Sequence, residues 1–368
     1  MWRYADLLPV EVPEPRGTPL HAVGWTPLFR PRRLAGAAGH PNLWLKDDGR
    51  NPTASFKDRA SAVVVARAVE IGAEVVVTAS TGNAGAALAG MAAAAGVQAV
   101  ILAPKSAPQA KIAQLLIFGA HVYLVDGSYD QAFDLSVEAA AEFGWYCRNT
   151  GYNPFTAEGK KTAAFEICEQ FTRAQDTVAA QAGIWKAPEA VFVSVGDGNI
   201  ISGLHKGFKD LIALGWIERV PRLFGVQAEG SAAIYRAFAS GSGEISAVQA
   251  DTLADSIAVD LPRDGHRALR AAVKTSGAYI TVSDAEILSA MRDLGQKAAV
   301  FAEPAGAAAY AGARKAIAAG EVDENEGLLV LNTGSGLKDI PAAMKAAGEA
   351  RVIRPDLAAL REAVAEKD

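Results

Sequence analysis

Residues 190–200 read AVFVSVGDGNI, and a helix-like run follows over 203–214. Val191, Val193 and Val195 alternate with small or apolar neighbours, and no charge interrupts the run. A short, continuous apolar stretch of this kind suits a strand buried on both faces. The Gly-Asp-Gly turn then hands the chain to a helix. The same unit recurs outward in both directions. Residues 73–79, 97–103, 121–125, 223–227, 279–282 and 327–331 read as further strands, while 61–71, 85–95, 108–118, 129–143 and 161–174 carry the spacing of helices. Buried strands separated by helices predict an α/β fold of open, mostly parallel, doubly wound sheets.

Composition fits that architecture. The chain has 368 residues, half of them hydrophobic and 21% charged, enough for about two domains with sizeable cores. Its 36 basic and 41 acidic residues leave a net charge of −5, which argues against a nucleic-acid or anionic-membrane surface. The alanine-rich stretch 84–97 is too short to span a bilayer. The first residues contain Asp6, Glu11 and Glu14 and no long apolar run, unlike a secretory signal, so a cytoplasmic location is expected. Cys147 and Cys168 are too far apart for a paired metal or redox motif and read as free buried thiols. The five histidines show no metal-binding spacing, so no metal is expected. Residues 249–270 carry no assignable role, and the charged stretch 351–368 reads as a peripheral helix or tail.

Many of the 35 glycines are ordinary turn and helix-packing residues, but some cluster where predicted strands end, the place where open parallel sheets bind ligands. Three such loops are 80–85 (STGNAG), 196–200 (GDGNI) and 333–339 (TGSGLKD). Loop 196–200 suits a phosphate because its backbone N–H groups converge at a helix start, although a tight strand–helix turn needs the same glycines. Loop 80–85 suits a carboxylate, or simply caps a helix through Ser80 or Thr81. A fourth stretch, 51–59 (NPTASFKDR), places Lys57 in a first helical turn, where the helix dipole disfavours a cation. Either Lys57 is exposed and paired with Asp58 or Glu70, or it is buried with a lowered pKa and serves as nucleophile and base.

Taken together and in order, PTASFKDR, STGN, GDGN, Glu303-Pro-Ala and TGSGLKD resemble the fold type II pyridoxal-phosphate enzymes, the tryptophan synthase β-like family. Within them the chain is most similar to the threonine synthases, and the likeness runs from Thr26 to Asp339. The resemblance implies that Lys57 forms the Schiff base with pyridoxal 5'-phosphate and later shuttles protons. It implies that Phe56 packs beside the lysine, that Asn83 bonds the pyridoxal 3′-oxygen and that Thr333 bonds the pyridine nitrogen. Gly196, Asp197, Gly198, Asn199 and Ile200 would hold the cofactor phosphate. Ser80, Thr81, Gly82, Asn83 and Ala84 would hold the substrate carboxylate, with Asn153 and Thr156 also binding substrate. A hydroxyl at the pyridine nitrogen does not keep it protonated, which restrains transamination and suits elimination and replacement at Cβ and Cγ.

The implied reaction converts O-phospho-L-homoserine and water to L-threonine and phosphate. A related dehydratase or β-replacement enzyme, and a non-catalytic cofactor-binding paralogue, are the alternatives. Where threonine synthases read Asn-Pro-x-Arg-x-Glu-Gly-Gln-Lys-Thr, this chain has NPFTAEGKKT, with Thr156 for the arginine and Lys160 for the glutamine. The cofactor motifs are therefore intact, while the stretch that meets the substrate phosphate is altered. The family also implies a small domain over 49–153, inserted into a large phosphate-binding domain built from 1–48 and 154–368, and a homodimer.

Overall fold

The computed structural model describes residues 1–107 and 109–365. Among the described residues, ten strands form two sheets: β1 (Leu28–Phe29), β2 (Leu43–Asp47), β3 (Val75–Ala79), β4 (Gln98–Pro104), β5 (His121–Val125), β6 (Tyr146–Cys147), β7 (Ala190–Ser194), β8 (Arg222–Ala228), β9 (Tyr279–Val282) and β10 (Leu328–Asn332). The larger sheet has the order β1-β2-β10-β7-β8-β9, and the smaller β5-β4-β3-β6. Every pairing is parallel except β1 with β2. The smaller sheet is made entirely from chain between β2 and β7, so β10 returns to lie between β2 and β7.

Alternation along the strands builds a core on each face of the larger sheet. Leu328 and Val330 join Leu43, Leu45, Phe192 and Phe224 on one side; Leu329 and Leu331 join Trp44, Val191, Val193 and Phe165 on the other. Helices cover both faces, which is why these strands are apolar throughout. The smaller sheet repeats the pattern, with Val76 and Ile101 on one face and Val77, Val100 and Leu102 on the other. Met1, Val10, Leu20 and Val23 pack into that smaller sheet's core, although they precede β1. No described helix is long and apolar enough to cross a membrane.

Two helices begin earlier than their patterns predict. One runs over Lys57–Glu70 and the other over Phe155–Arg173. In the second, Gly159 sits inside the helix because a Cβ there would lie 2.0 Å from the Arg59 carbonyl oxygen. The glycine marks a close helix crossing. At this crossing Arg59 is fully buried and donates Nη1 and Nη2 to Glu166 at 2.7 Å each, and Nε to Asp48 at 2.6 Å. Lys46 Nζ reaches the same glutamate at 2.8 Å. Burial alone pushes the Glu166 carboxyl up, but Arg59 and Lys46 overcome it and hold the group well below the usual carboxylate range. This network fixes the helix that begins with Lys57.

Strands β1, β2 and β6 and the helices Arg32–Ala38, Asp284–Ala298 and Pro304–Ala318 add to the elements expected from the sequence. The helix Tyr129–Phe143 starts in a capping box between Ser128 and Gln131. The helix expected over 108–118 spans Gln109–Ile117, with residue 108 outside the described residues. The terminal stretch contains the helix Leu357–Ala365; residues 366–368 lie outside the described residues.

Candidate active site

The loops after β3, β7 and β10 meet around a cavity of about 540 Å³. Ser80, Thr81, Gly82, Asn83 and Ala84 line it from β3; Gly196, Asp197, Gly198, Asn199 and Ile200 line it from β7; Thr333 lines it from β10. All three are carboxyl ends of parallel strands, as the topology requires.

Lys57 enters the same cavity from the start of its helix. The preceding loop is stitched to the β10 loop: Phe56 N donates to Thr333 O at 2.9 Å, and Ser335 N to Ala54 O at 3.0 Å. Asp58 is turned away from the lysine, accepting from Thr53 N at 2.6 Å and from the Thr53 hydroxyl. Glu70 is engaged by Arg67 at the far end of the helix. The exposed, paired reading of Lys57 therefore fails, and its amine has no hydrogen-bond or ion-pair partner among the described residues. Burial lowers its pKa; Glu303 and Asp197 pull it back in part, while Arg148 lowers it further.

Asn83 donates to Glu303 Oε1 at 2.7 Å and to Ser256 Oγ at 3.3 Å. Glu303 is buried there because residue 334 is glycine: a Cβ at that position would lie 2.2 Å from its Oε1. Burial raises the Glu303 pKa, opposed by Lys57 and Lys338. The backbone amides of residues 196–201 form no hydrogen bonds among the described residues, and the last three of them open the helix Asn199–Ala213. Such a group of free amides at a helix start is an anion cradle.

A model of the pyridoxal-phosphate dependent enzyme family matches residues 20–334. The chain belongs to this family. It is 38% identical to the threonine synthase of Methanocaldococcus jannaschii, covering all of this chain and 87% of that protein. It is 36% identical to that of Methanosarcina acetivorans, over 99% of this chain and 86% of that one. The processed form of threonine deaminase isoform 2 from Solanum lycopersicum has a similar fold, with TM-score 0.74, 22% identity, and coverage of 93% and 92% of the two chains.

As a member of the pyridoxal-phosphate enzymes, the chain uses that cofactor, and its cavity fits the group. An amine without a partner, a cradle of free amides and the Thr333 hydroxyl, which makes no hydrogen bond to the described protein, face one space. Gly198 makes the cradle possible. Its φ is +88°, and a Cβ would lie 2.5 Å from Ala268 Cβ. We therefore expect Gly198→Ala to weaken cofactor binding at least about tenfold, from left-handed strain of about 1–2 kcal/mol plus the displaced loop. Titrating the apoenzyme with pyridoxal phosphate checks this; an unchanged affinity would remove the loop from the phosphate site.

Three residues expected at the site lie behind its walls. Phe56 is fully buried in the core beneath the larger sheet, with its ring near the Arg59 guanidinium rather than facing the cavity. Asn153 is consumed by its own turn, donating to Cys147 O at 2.8 Å and accepting from Phe155 N at 2.9 Å. The Thr156 hydroxyl donates to Asn153 O at 2.8 Å, and the side chain is fully buried. None of the three is among the residues that line the cavity.

Other residues take their place. Residues 255–261 form one wall of the cavity and tie the two sheets together. Asp255 pairs with Lys111, and just beyond the wall Arg263 pairs with Asp130 at 2.6 Å while lying over the Phe133 ring. Arg148 and Lys160 also line the cavity, each 1% exposed. Lys160 was legible as a nearby cation; nothing in the sequence distinguished Arg148 from a surface arginine.

Proposed function

We propose that the chain is a threonine synthase, converting O-phospho-L-homoserine and water to L-threonine and phosphate. The observation that carries this is the full-length likeness to threonine synthases, joined to a cavity in which a partnerless lysine amine faces two sets of anion-binding loops.

When bound, pyridoxal phosphate supplies an electron-withdrawing ring that stabilises negative charge at the substrate Cα. The chain does the rest. Free amides of residues 196–201 hold the cofactor phosphate, and Thr333 offers a hydroxyl to the ring nitrogen. Amides and hydroxyls of Ser80, Thr81, Gly82, Asn83 and Ala84 hold the substrate carboxylate, which orients Cα toward Lys57. Lys57 Nζ, kept low in proton affinity by burial, removes the Cα proton and then moves a proton at Cβ. Phosphate leaves from Cγ, which gains the proton taken from Cβ; water then adds at Cβ, and Cα regains its proton. The 255–261 wall keeps bulk water from the reacting carbons.

We also propose a cytoplasmic homodimer with a nested unit over 49–153. The exposed Leu357, Leu360 and Val364 on one helix face give such a dimer apolar surface.

The test is product analysis of the holoenzyme. O-phosphohomoserine yields threonine and phosphate in equal amounts, while serine and threonine are not consumed. Release of ammonia and a keto acid from serine or threonine, with O-phosphohomoserine untouched, replaces this function by a dehydratase.

A further inference from the structure

Apart from Lys57, most buried lysines and arginines among the described residues are paired. Arg59 and Lys46 share Glu166, Arg59 also meets Asp48, and Lys161 meets Glu158 at 2.7 Å and Asp210 at 3.0 Å. Arg148 and Lys160 break that pattern. Arg148 donates Nε to Ser61 Oγ at 3.2 Å and Nη1 to Thr150 Oγ1 at 2.9 Å, while Nη2 is buried with no partner. Neutral hydroxyls aim the guanidinium but leave its charge uncompensated. Lys160 Nζ has no hydrogen bond or ion pair among the described residues.

Packing forces Lys160 into this position. Its helix, Phe155–Arg173, lies against Asn199–Ala213, where Gly203 leaves room: a Cβ there would come within 2.7 Å of Lys160 Cβ. Both cations line the cavity that holds Lys57. The carboxylates that act on Lys160 are already engaged, Asp264 by Asn199 and Arg267 and Asp197 by Arg263 N. Burying a charge without a counter-charge costs several kcal/mol. Two such basic groups lining one cavity call for a ligand of high negative charge, whose binding would also restore the Lys160 proton affinity that burial, Lys57 and Arg148 lower well below the ordinary lysine value. The amide cradle after β7 serves one phosphate, and the loop after β3 serves a carboxylate; neither uses Arg148 or Lys160.

We infer that Arg148 and Lys160 form a second anion subsite, which takes the phosphate group that the substrate brings and releases. The inference deepens the proposed function and rests on it for the identity of that phosphate. A guanidinium offers two parallel donors to phosphate, and an ammonium a compact charge beside them. The subsite selects phosphorylated amino acids over their free hydroxyl counterparts and holds the leaving group apart from the cofactor phosphate.

Calorimetric titration of the holoenzyme with inorganic phosphate tests this, because the cofactor already fills the first cradle. Lys160→Gln is expected to weaken phosphate binding by about 10- to 100-fold. KM for O-phosphohomoserine should rise by a similar factor, with cofactor content and affinity for threonine unchanged. Arg148→Lys keeps the charge but loses the fork, and should show a smaller loss in the same direction. It carries the test if Lys160→Gln does not fold.

Unchanged phosphate affinity and KM in a variant that still turns over O-phosphohomoserine would overturn the subsite and leave the threonine synthase proposal standing. Loss of cofactor from Lys160→Gln, with phosphate affinity unchanged, would assign the lysine to the first cradle and also overturn it. Lys160-dependent phosphate binding in an enzyme that ignores O-phosphohomoserine would support the subsite and sink only the proposed substrate.

Discussion

Lys57→Ala abolishes turnover, with a loss of at least about 10³-fold, and removes the yellow colour of the holoenzyme. The size follows from the number of tasks that fall on one atom. In the proposed function the Lys57 Nζ, an amine on the cavity without a partner among the described residues, both holds the cofactor and moves protons at adjacent carbons. Neither neighbouring acid can substitute: Asp58 is held by Thr53, and Glu303 is held by Asn83. Folding should survive, because the helix is fixed two residues on by Arg59. Phosphate release, absorption spectra and circular dichroism together check this. A variant that keeps its fold and retains activity within tenfold of wild type would contradict the assignment.

Glu166→Gln destabilises the protein by about 3–5 kcal/mol, the cost of leaving buried charge uncompensated. Arg59 would keep only Asp48, and Lys46 would lose its sole carboxylate contact. Urea unfolding checks this through a lowered midpoint at unchanged slope. Adding Lys46→Met removes one orphaned charge and should recover part of the loss. A loss below about 1 kcal/mol would mean that the network is solvated. The same pairing sets an acid limit. Because the folded Glu166 pKa is depressed, its stabilisation is complete above the ordinary glutamate value, pH about 4.3, and drains away as pH falls through the lower folded value.

These two sites differ in how much of them the sequence discloses. Lys57 is readable because its chemistry is local: a cation in a first helical turn, followed in order by three glycine loops at strand ends. The apolar strands β3, β4, β7, β8 and β10 are readable for the same reason, since burial on both faces leaves a continuous pattern. By contrast, β2 (LWLKD) carries Lys46 and Asp47, and it is buried between β1 and β10 with Lys46 paired to Glu166, 120 residues away. Thr156 lies in a substrate-like motif but spends its hydroxyl on the Asn153 carbonyl. Arg148 reads as an ordinary surface charge until the packing of two sheets buries it. The 255–261 wall has no periodicity and is defined only by what it bridges.

The central claim is that water enters at Cβ while phosphate departs from Cγ with its own oxygens. Turnover of O-phosphohomoserine by the holoenzyme in oxygen-18 water, followed by mass spectrometry of both products, tests it directly. The expected result is threonine carrying one labelled oxygen at its hydroxyl and phosphate carrying none. Labelled phosphate together with unlabelled homoserine would show simple phosphate-ester hydrolysis and contradict the account.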